Sequence, residues 1–349
     1  MSLISDPENS IVKINAHGHL LPYPEEIPVS MRQKEIFWVS DDRKFMCQGK
    51  WRRPITDDSF FLNEKLEWMD RNAISKEVIL NLSQLYCNGL NVYDTRDVIR
   101  FQNDFNLSLQ KRFPDRFIGG FVIQPLYIDD ALKEIERCVN AGMKILCLPT
   151  HFISGDGLWS ETPCEAVLPV FELANYYNLA VEFHPYNAEQ FIQLKDNFWR
   201  FHLIWLCAQT ADCFHFFSSL NFAEKFSDAR FCFAHGNQFG QMGYGRRKQG
   251  FTGRPDLFTG ATDPEENIRC ENVYFDTLVH DVLSFELLVK RQGTDNIVAG
   301  LDDPYPLGEM ESVPGSYPGK VLDEALKTGC LDLSAYRQIW YDNVLRWVG

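Results

Sequence analysis

Eight short runs rich in Val, Ile, Leu and Phe recur along the chain, at residues 11–15, 77–82, 117–124, 143–149, 179–184, 230–235, 272–276 and 296–301. Most are apolar on both alternating faces, the pattern of parallel strands covered on each side. Amphipathic stretches at 62–72, 97–112, 128–141, 166–177, 197–224 and 282–291 lie between them and read as helices. Strands alternating with helices imply βαβ units and a parallel sheet, and eight such units suggest closure into a (β/α)8 TIM-type barrel. An open, doubly wound sheet is the structural rival. It is weakened because His17-Gly18-His19, not a Gly-rich phosphate loop, follows the first run.

No linker, internal repeat or low-complexity tract divides the 349 residues, so residues 1–349 read as a single barrel domain. Two segments, at about 20–61 and 238–269, are rich in Gly, Pro and charge and read as insertions after a strand, which would place both on the catalytic face. With 45% hydrophobic residues and 27 Phe the chain has ample material for a large core. A net charge of −14 with no basic arm argues against nucleic-acid and anionic-membrane partners, so an anionic substrate must be caught by local arginines. Residues 1–8 lack the basic patch and apolar core of a signal peptide, and no run reaches ~18 apolar residues. The expectation is a soluble, cytoplasmic protein whose ten scattered cysteines are reduced.

Histidines gather at the ends of the strand-like runs. His17 and His19 follow the first run at i and i+2 spacing, which turns both rings to one side of an extended chain. His184 ends the fifth run, His235 the sixth and Asp302 the eighth. In a closed barrel these ends share one rim, so the five side chains become neighbours and form a metal-type donor set. Singly, each histidine is better read as a satisfied structural residue or a pocket liner; jointly, the metal reading wins. His202 and His215 sit in an aromatic helical stretch and read as packing, His151 as a candidate outer partner of the site, and His280 as a group that could orient a ligand.

These motifs resemble the amidohydrolase superfamily and, within it, the 2-amino-3-carboxymuconate-6-semialdehyde decarboxylases. The matches are His17-Gly18-His19 with Leu21-Pro22, His184-Pro185, Cys232-Phe233-Ala234-His235-Gly236, and the most specific, Asp302-Asp303-Pro304-Tyr305-Pro306-Leu307-Gly308-Glu309. The resemblance implies one zinc on His17, His19, His184 and Asp302, with a position left for water whose pKa the metal lowers towards ~7. It implies His235 as general base and proton donor, and a non-oxidative decarboxylation of a dicarboxylate from tryptophan degradation. Arg53 and Arg246 match the substrate arginines, Arg246 reaching into the neighbouring site of a homodimer, and Trp205 and Tyr305 match pocket aromatics. Arg52 competes with Arg53 for its role.

There are departures. Asn15 stands where the family commonly has aspartate, and the 20–61 loop is not easily matched, which bears on substrate rather than metal. Two rivals remain open: a related enzyme that decarboxylates an aromatic acid or hydrolyses a C–N or C–O bond, and a metal-binding barrel without catalysis. The metal could also be iron, cobalt or manganese.

Overall fold

The computed structural model describes residues 11–55, 58–186, 195 and 197–349. The expectation for residues 1–8, and residues 56–57 of the 20–61 segment, lie outside the described residues. Eight parallel strands form one sheet in chain order: β1 (Lys13–Gly18), β2 (Ile74–Ile79), β3 (Phe117–Val122), β4 (Ile145–Pro149), β5 (Ala180–His184), β6 (Arg230–Phe233), β7 (Val273–Asp276) and β8 (Ile297–Val298). Chain order in a parallel sheet is the signature of repeated right-handed crossovers. β8 returns to β1 through Ala16 N–H to the Ala299 carbonyl (2.7 Å), Asp302 N–H to that of His17 (2.8 Å) and His19 N–H to that of Asp303 (2.8 Å). The sheet thus closes as the expected (β/α)8 barrel.

Alternation along each strand divides the core into two. Ile14, Val78, Val122, Ile145, Cys147, Ala180, Cys232 and Val298 fill the barrel interior. Their neighbours Phe121, Leu146, Leu148, Val181, Phe183, Phe231, Phe233 and Phe275 face outward under the helices. Many of the phenylalanines are spent on that outer layer; the rings of Phe183 and Phe233, for example, stack at 4.9 Å. By the same alternation Ala180, Glu182 and His184 of β5 all point inward.

The helices behind the strands include α1 (Leu62–Arg71), α2 (Val92–Arg112), α3 (Ile128–Asn140), α4 (Leu168–Tyr176), α5 (Leu206–Ser219), α6 (Gln238–Gly253), α7 (Val282–Gln292) and α8 (Lys320–Thr328). Asn91 and Asp281 cap α2 and α7 by accepting N–H bonds from the first turn. Within the 238–269 segment, α6 follows β6 directly. Five glycines blur the apolar stripe there, and packing between α5 and α7 supplies what helix propensity lacks. The 20–61 segment folds back on itself as a short helix and a three-stranded antiparallel sheet, Trp38–Val39, Phe45–Gln48 and Trp51–Pro54. Among the described residues no helix is long and apolar enough to cross a membrane.

Candidate metal centre

β1 delivers the first two donors. His17 is the penultimate residue of the strand and His19 lies just past its end, both buried. Gly18 between them is required by contact, since a Cβ there would sit 2.0 Å from a carboxylate oxygen of Glu77. The two Nε2 atoms lie 3.2 Å apart. Donors ~2.1 Å from one ion at tetrahedral angles are separated by about 3.4 Å. His19 Nε2 is also 3.2 Å from Asp302 Oδ1, and His17 Nε2 is 3.5 Å from it. The His184 ring centroid lies 5.1 Å from that of His17 and 5.2 Å from that of His235. One donor atom each from His17, His184, His235 and Asp302 falls within 4.8 Å of the others.

Geometry therefore brings all five expected residues to one rim, where His17, His184, His235 and Asp302 share the 4.8 Å set of donors and His19 joins through its contacts with His17 and Asp302. His235 stands a little apart, 3.7 Å from Asp302 Oδ2, with its side chain 13% exposed toward the cavity. It follows β6 in a left-handed turn (φ 57°, ψ 36°). A non-glycine residue in that region is held there by its surroundings.

The outer contacts settle which ring nitrogens are free. His184 Nδ1 donates to the Pro185 carbonyl at 2.7 Å, and its buried Nε2 has no hydrogen-bond partner among the described residues. His17 Nδ1 meets Asp276 Oδ2 at 2.8 Å, so Nε2 carries the lone pair that faces the centre. Burial and then the surrounding imidazoles hold His184 well below its ordinary value, and burial lowers His19 to about 4. Burial also opposes charge on His17, but the Asp276 hydrogen bond and the Asp302 and Glu182 carboxylates outweigh it and raise the ring to about 9. Burial alone would raise Asp302, yet hydrogen bonds with His19 and His235 hold it well below the usual carboxylate range. Imidazoles converging beside one ionised carboxylate, two of them held neutral by burial, are the donor set of a divalent transition ion. The orphaned Nε2 of His184 fits such an ion and is costly without a partner.

A cavity opens above this centre. Arg53, Gln84, His184, His202, Leu203, Leu206, Cys207, His235, Gln238, Leu278, His280, Asp302, Tyr305 and Leu307 are among its lining residues. Arg53 lies over the Tyr305 ring, its Cζ 4.5 Å from the centroid, and Tyr305 in turn lies 5.1 Å from the His19 ring. Arg52, on the other side of the same strand, covers Trp38 instead. Arg246 is exposed on α6 and Trp205 is half-buried on the turn Phe201–Trp205; neither lines this cavity. His202, expected as packing, is a lining residue, whereas His215 does pack against the rings of Phe216 and Phe258. His151, expected as an outer partner of the site, pairs with Asp212 at 3.0 Å. A separate groove between α2 and α3 carries cations already paired with carboxylates, among them Arg96 with Asp130 at 2.7 Å.

Three buried groups escaped the sequence reading. Asp276 ends β7, and the strand-end rule that selected His184 would have selected it too. Glu182, two residues before His184, points into the barrel with both carboxylate oxygens unpartnered among the described residues. Lys65, on the apolar face of α1, bonds Glu77 (3.0 Å) and Asp303 directly behind the histidines. Asn15 donates to Asp303 (2.6 Å) while accepting from the N–H groups of His17 and Leu301 (3.0 Å each), a double role an ionised aspartate could not fill.

Comparison with known proteins agrees with this architecture. The chain is 27% identical over 317 residues to the 2-amino-3-carboxymuconate-6-semialdehyde decarboxylase of Dictyostelium discoideum, covering 87% of this chain and 84% of that one. The crystal structure of 5-carboxyvanillate decarboxylase from Sphingomonas paucimobilis superposes with a TM-score of 0.76 at 18% identity, over 97% of this chain and 99% of that one. The same-named enzyme of Novosphingobium aromaticivorans, solved with bound manganese and a nitrobenzoic acid, gives 0.77 at 13% identity over 99% of both chains. At such identities the structures speak for the fold. A match to the Amidohydrolase family model spans residues 14–343, nearly the whole chain, and this protein belongs to that family.

Proposed function

We propose that the chain is a metal-dependent decarboxylase, with zinc as the ion and 2-amino-3-carboxymuconate-6-semialdehyde as the substrate. The observation that carries the reading is the meeting of Arg53 with His184, His235 and Asp302 in one cavity. A cation beside a metal-type centre fits a carboxylate-bearing substrate. The Dictyostelium relative supports the substrate, and the manganese in a structural neighbour supports a divalent ion as a class. Zinc is favoured by three imidazoles and one carboxylate.

A bound ion of this kind supplies Lewis acidity and lowers the pKa of a water in its open position. The chain's own groups do the rest. Arg53 pairs with a substrate carboxylate, and the Tyr305 ring beneath it limits the guanidinium's freedom. Leu203, Leu206, Leu278 and Leu307 keep water from the cleaving bond. His235 takes a proton at the start and returns one later. In the net reaction one C–C bond to a carboxylate breaks, carbon dioxide leaves, and the carbon that keeps the electron pair accepts a proton. The homodimer belongs to the same proposal: Arg246, exposed on α6, is free to serve a neighbouring subunit's cavity as the second clamp.

The test is an absorbance assay. The semialdehyde is generated with a 3-hydroxyanthranilate dioxygenase, zinc-loaded protein is added, and decay is followed together with carbon dioxide release. Chelator-sensitive decay with stoichiometric carbon dioxide is the expected result. No effect on the semialdehyde but release of carbon dioxide from carboxyvanillate or a dihydroxybenzoate would overturn the substrate and keep the reaction class; no turnover of either would overturn both.

A further inference from the structure

Asp276 is fully buried and receives four hydrogens. His17 Nδ1 (2.8 Å) and the His235 N–H (2.9 Å) share Oδ2; the Gly236 N–H (2.9 Å) and the Leu278 N–H (3.1 Å) share Oδ1. All four partners can only donate to an ionised carboxylate, so the proton on His17 is fixed on Nδ1 and the Nε2 lone pair is aimed at the centre. The same oxygen holds the backbone of His235 in its left-handed turn. Space is arranged for this carboxylate as well: a Cβ on Gly300 would lie 2.7 Å from the Asp276 Cβ and 3.0 Å from the His17 Cβ. Only glycine lets β8 approach closely enough for β1 and β7 to share the contact.

We infer that Asp276 is a positioning residue that couples the two halves of the site, setting the tautomer of His17 for metal and the placement of His235 for proton transfer through one carboxylate. The inference rests on reading the histidine cluster as a metal site. Asp276 does not line the cavity and acts through its bonds to His17 and the His235 backbone. A merely structural carboxylate would tolerate an isosteric amide, whereas this position cannot. In Asp276→Asn the amide oxygen can keep the Gly236 and Leu278 N–H bonds, which leaves the NH2 facing His17 Nδ1. That NH2 must donate, so the His17 proton is driven to Nε2 and the lone pair is lost to the metal. The alternative orientation opposes the NH2 to two backbone N–H groups and is worse.

Two readouts test this on the full-length protein. Zinc affinity, measured by chelator competition, is expected to fall about 10- to 100-fold in Asp276→Asn. Ring 15N shifts of His17 in the metal-free protein, recorded above the ring's raised titration, are expected to report Nδ1–H in the wild type and Nε2–H in the variant. At saturating zinc, kcat of the variant stays depressed because His235 is displaced, which retention of the zinc ligands alone would not cause. Wild-type zinc affinity in a folded Asp276→Asn, or an Nε2–H tautomer in the wild type itself, overturns the inference; the second measurement needs no variant to fold. Failure of the wild type to bind any divalent ion would overturn the metal reading instead, and the tautomer result stands apart from it.

Discussion

Asp302 and Asp303 are consecutive, both buried, and serve two clusters of opposite character. Asp302 turns to His17, His19 and His235. Asp303 turns to Lys65 and Asn15, with Glu77 on the far side of the ammonium. The second cluster supplies its own cation. Two carboxylates share one ammonium there, and burial together with the Glu77 charge pushes Asp303 above the usual carboxylate range. The first cluster holds its lone pairs toward a common point and leaves His184 Nε2 without a partner among the described residues. Each cluster leaves a buried atom without a partner among the described residues, Glu77 Oε2 in one and His184 Nε2 in the other, so the difference is one of charge: the cluster that holds its own cation is complete and reads as structure, and the one that lacks a cation is incomplete and reads as a place for a cationic ligand.

The largest effects should come from breaking the incomplete cluster. His184→Ala is expected to lose the metal and with it all turnover, whereas His235→Ala keeps the metal and loses about 100- to 10,000-fold in kcat. Metal content by elemental analysis alongside kcat separates the two. Equal metal loss in both variants would make His235 a ligand, a result its presence in the same 4.8 Å set of donors allows for. The 3.7 Å separation from Asp302 and the exposure toward the cavity argue for the base.

Breaking the complete cluster should cost stability instead of chemistry. Lys65→Met removes the ammonium that, among the described residues, pairs with Glu77 and leaves that carboxylate buried without it. A loss of about 3–5 kcal/mol in urea unfolding is expected. Adding Glu77→Gln should restore part of it, since the lone charge is then gone. If Lys65→Met unfolds no more easily than the wild type, the second cluster is not the self-contained support described here.

Most of this arrangement could be read before the fold was in hand, for a physical reason. A parallel barrel puts its functional residues at strand ends, and a strand end is visible as the place where an apolar run stops; His17, His184, His235 and Asp302 are all found so. Lys65, Glu77 and Asp303 were not legible, because 12 and 238 residues separate the partners and no local pattern announces a lysine inside a core. Boundaries moved where tertiary contacts overrode pattern. The run at 296–301 pairs as β8 only at Ile297–Val298, since the chain then leaves β7 to bond with β1. The second run lies three residues earlier than its apolar signal, at Ile74–Ile79, because Ser75 and Lys76 begin the strand on the exposed side. The helical stretch at 197–224 breaks at Asn221, which takes a positive φ of 55°.

Arg53 sharpens the comparison from the substrate side. It is the cavity's cation as Lys65 is the core's, but its guanidinium rests on a ring, with its charge open to a ligand. Arg53→Ala should raise KM about 10- to 100-fold for a carboxylate substrate with kcat changed much less, and Arg53→Lys should recover little, because an ammonium cannot bind a carboxylate in two-point fashion. A pure kcat effect would place the arginine at the reacting bond rather than at a remote carboxylate.

Glu309 is the intermediate case and gives the smallest effect. It is a buried carboxyl without an ion pair among the described residues: it accepts from the N–H groups of Gly319 (2.8 Å) and Val321 (3.1 Å) at the start of α8, and Lys13 acts on it only through a longer-range charge interaction. Burial raises it from 4.5 to about 7, and the backbone hydrogen bonds only partly oppose the rise. In the folded protein it therefore keeps its proton up to about 7, while in the unfolded chain it is lost from about 4.5 upward. The folded state binds more protons across that window, so this group's contribution to stability falls as pH rises from 4.5 to 7 and is level above it. Comparing urea midpoints near the two ends of the window, the wild type should lose about 2–3 kcal/mol more than Glu309→Gln, whose side chain does not titrate. An identical pH slope in the two proteins would mean that the α8 N-terminus holds the carboxylate ionised throughout, and that a helix end alone compensates a buried charge as fully as Lys65 does.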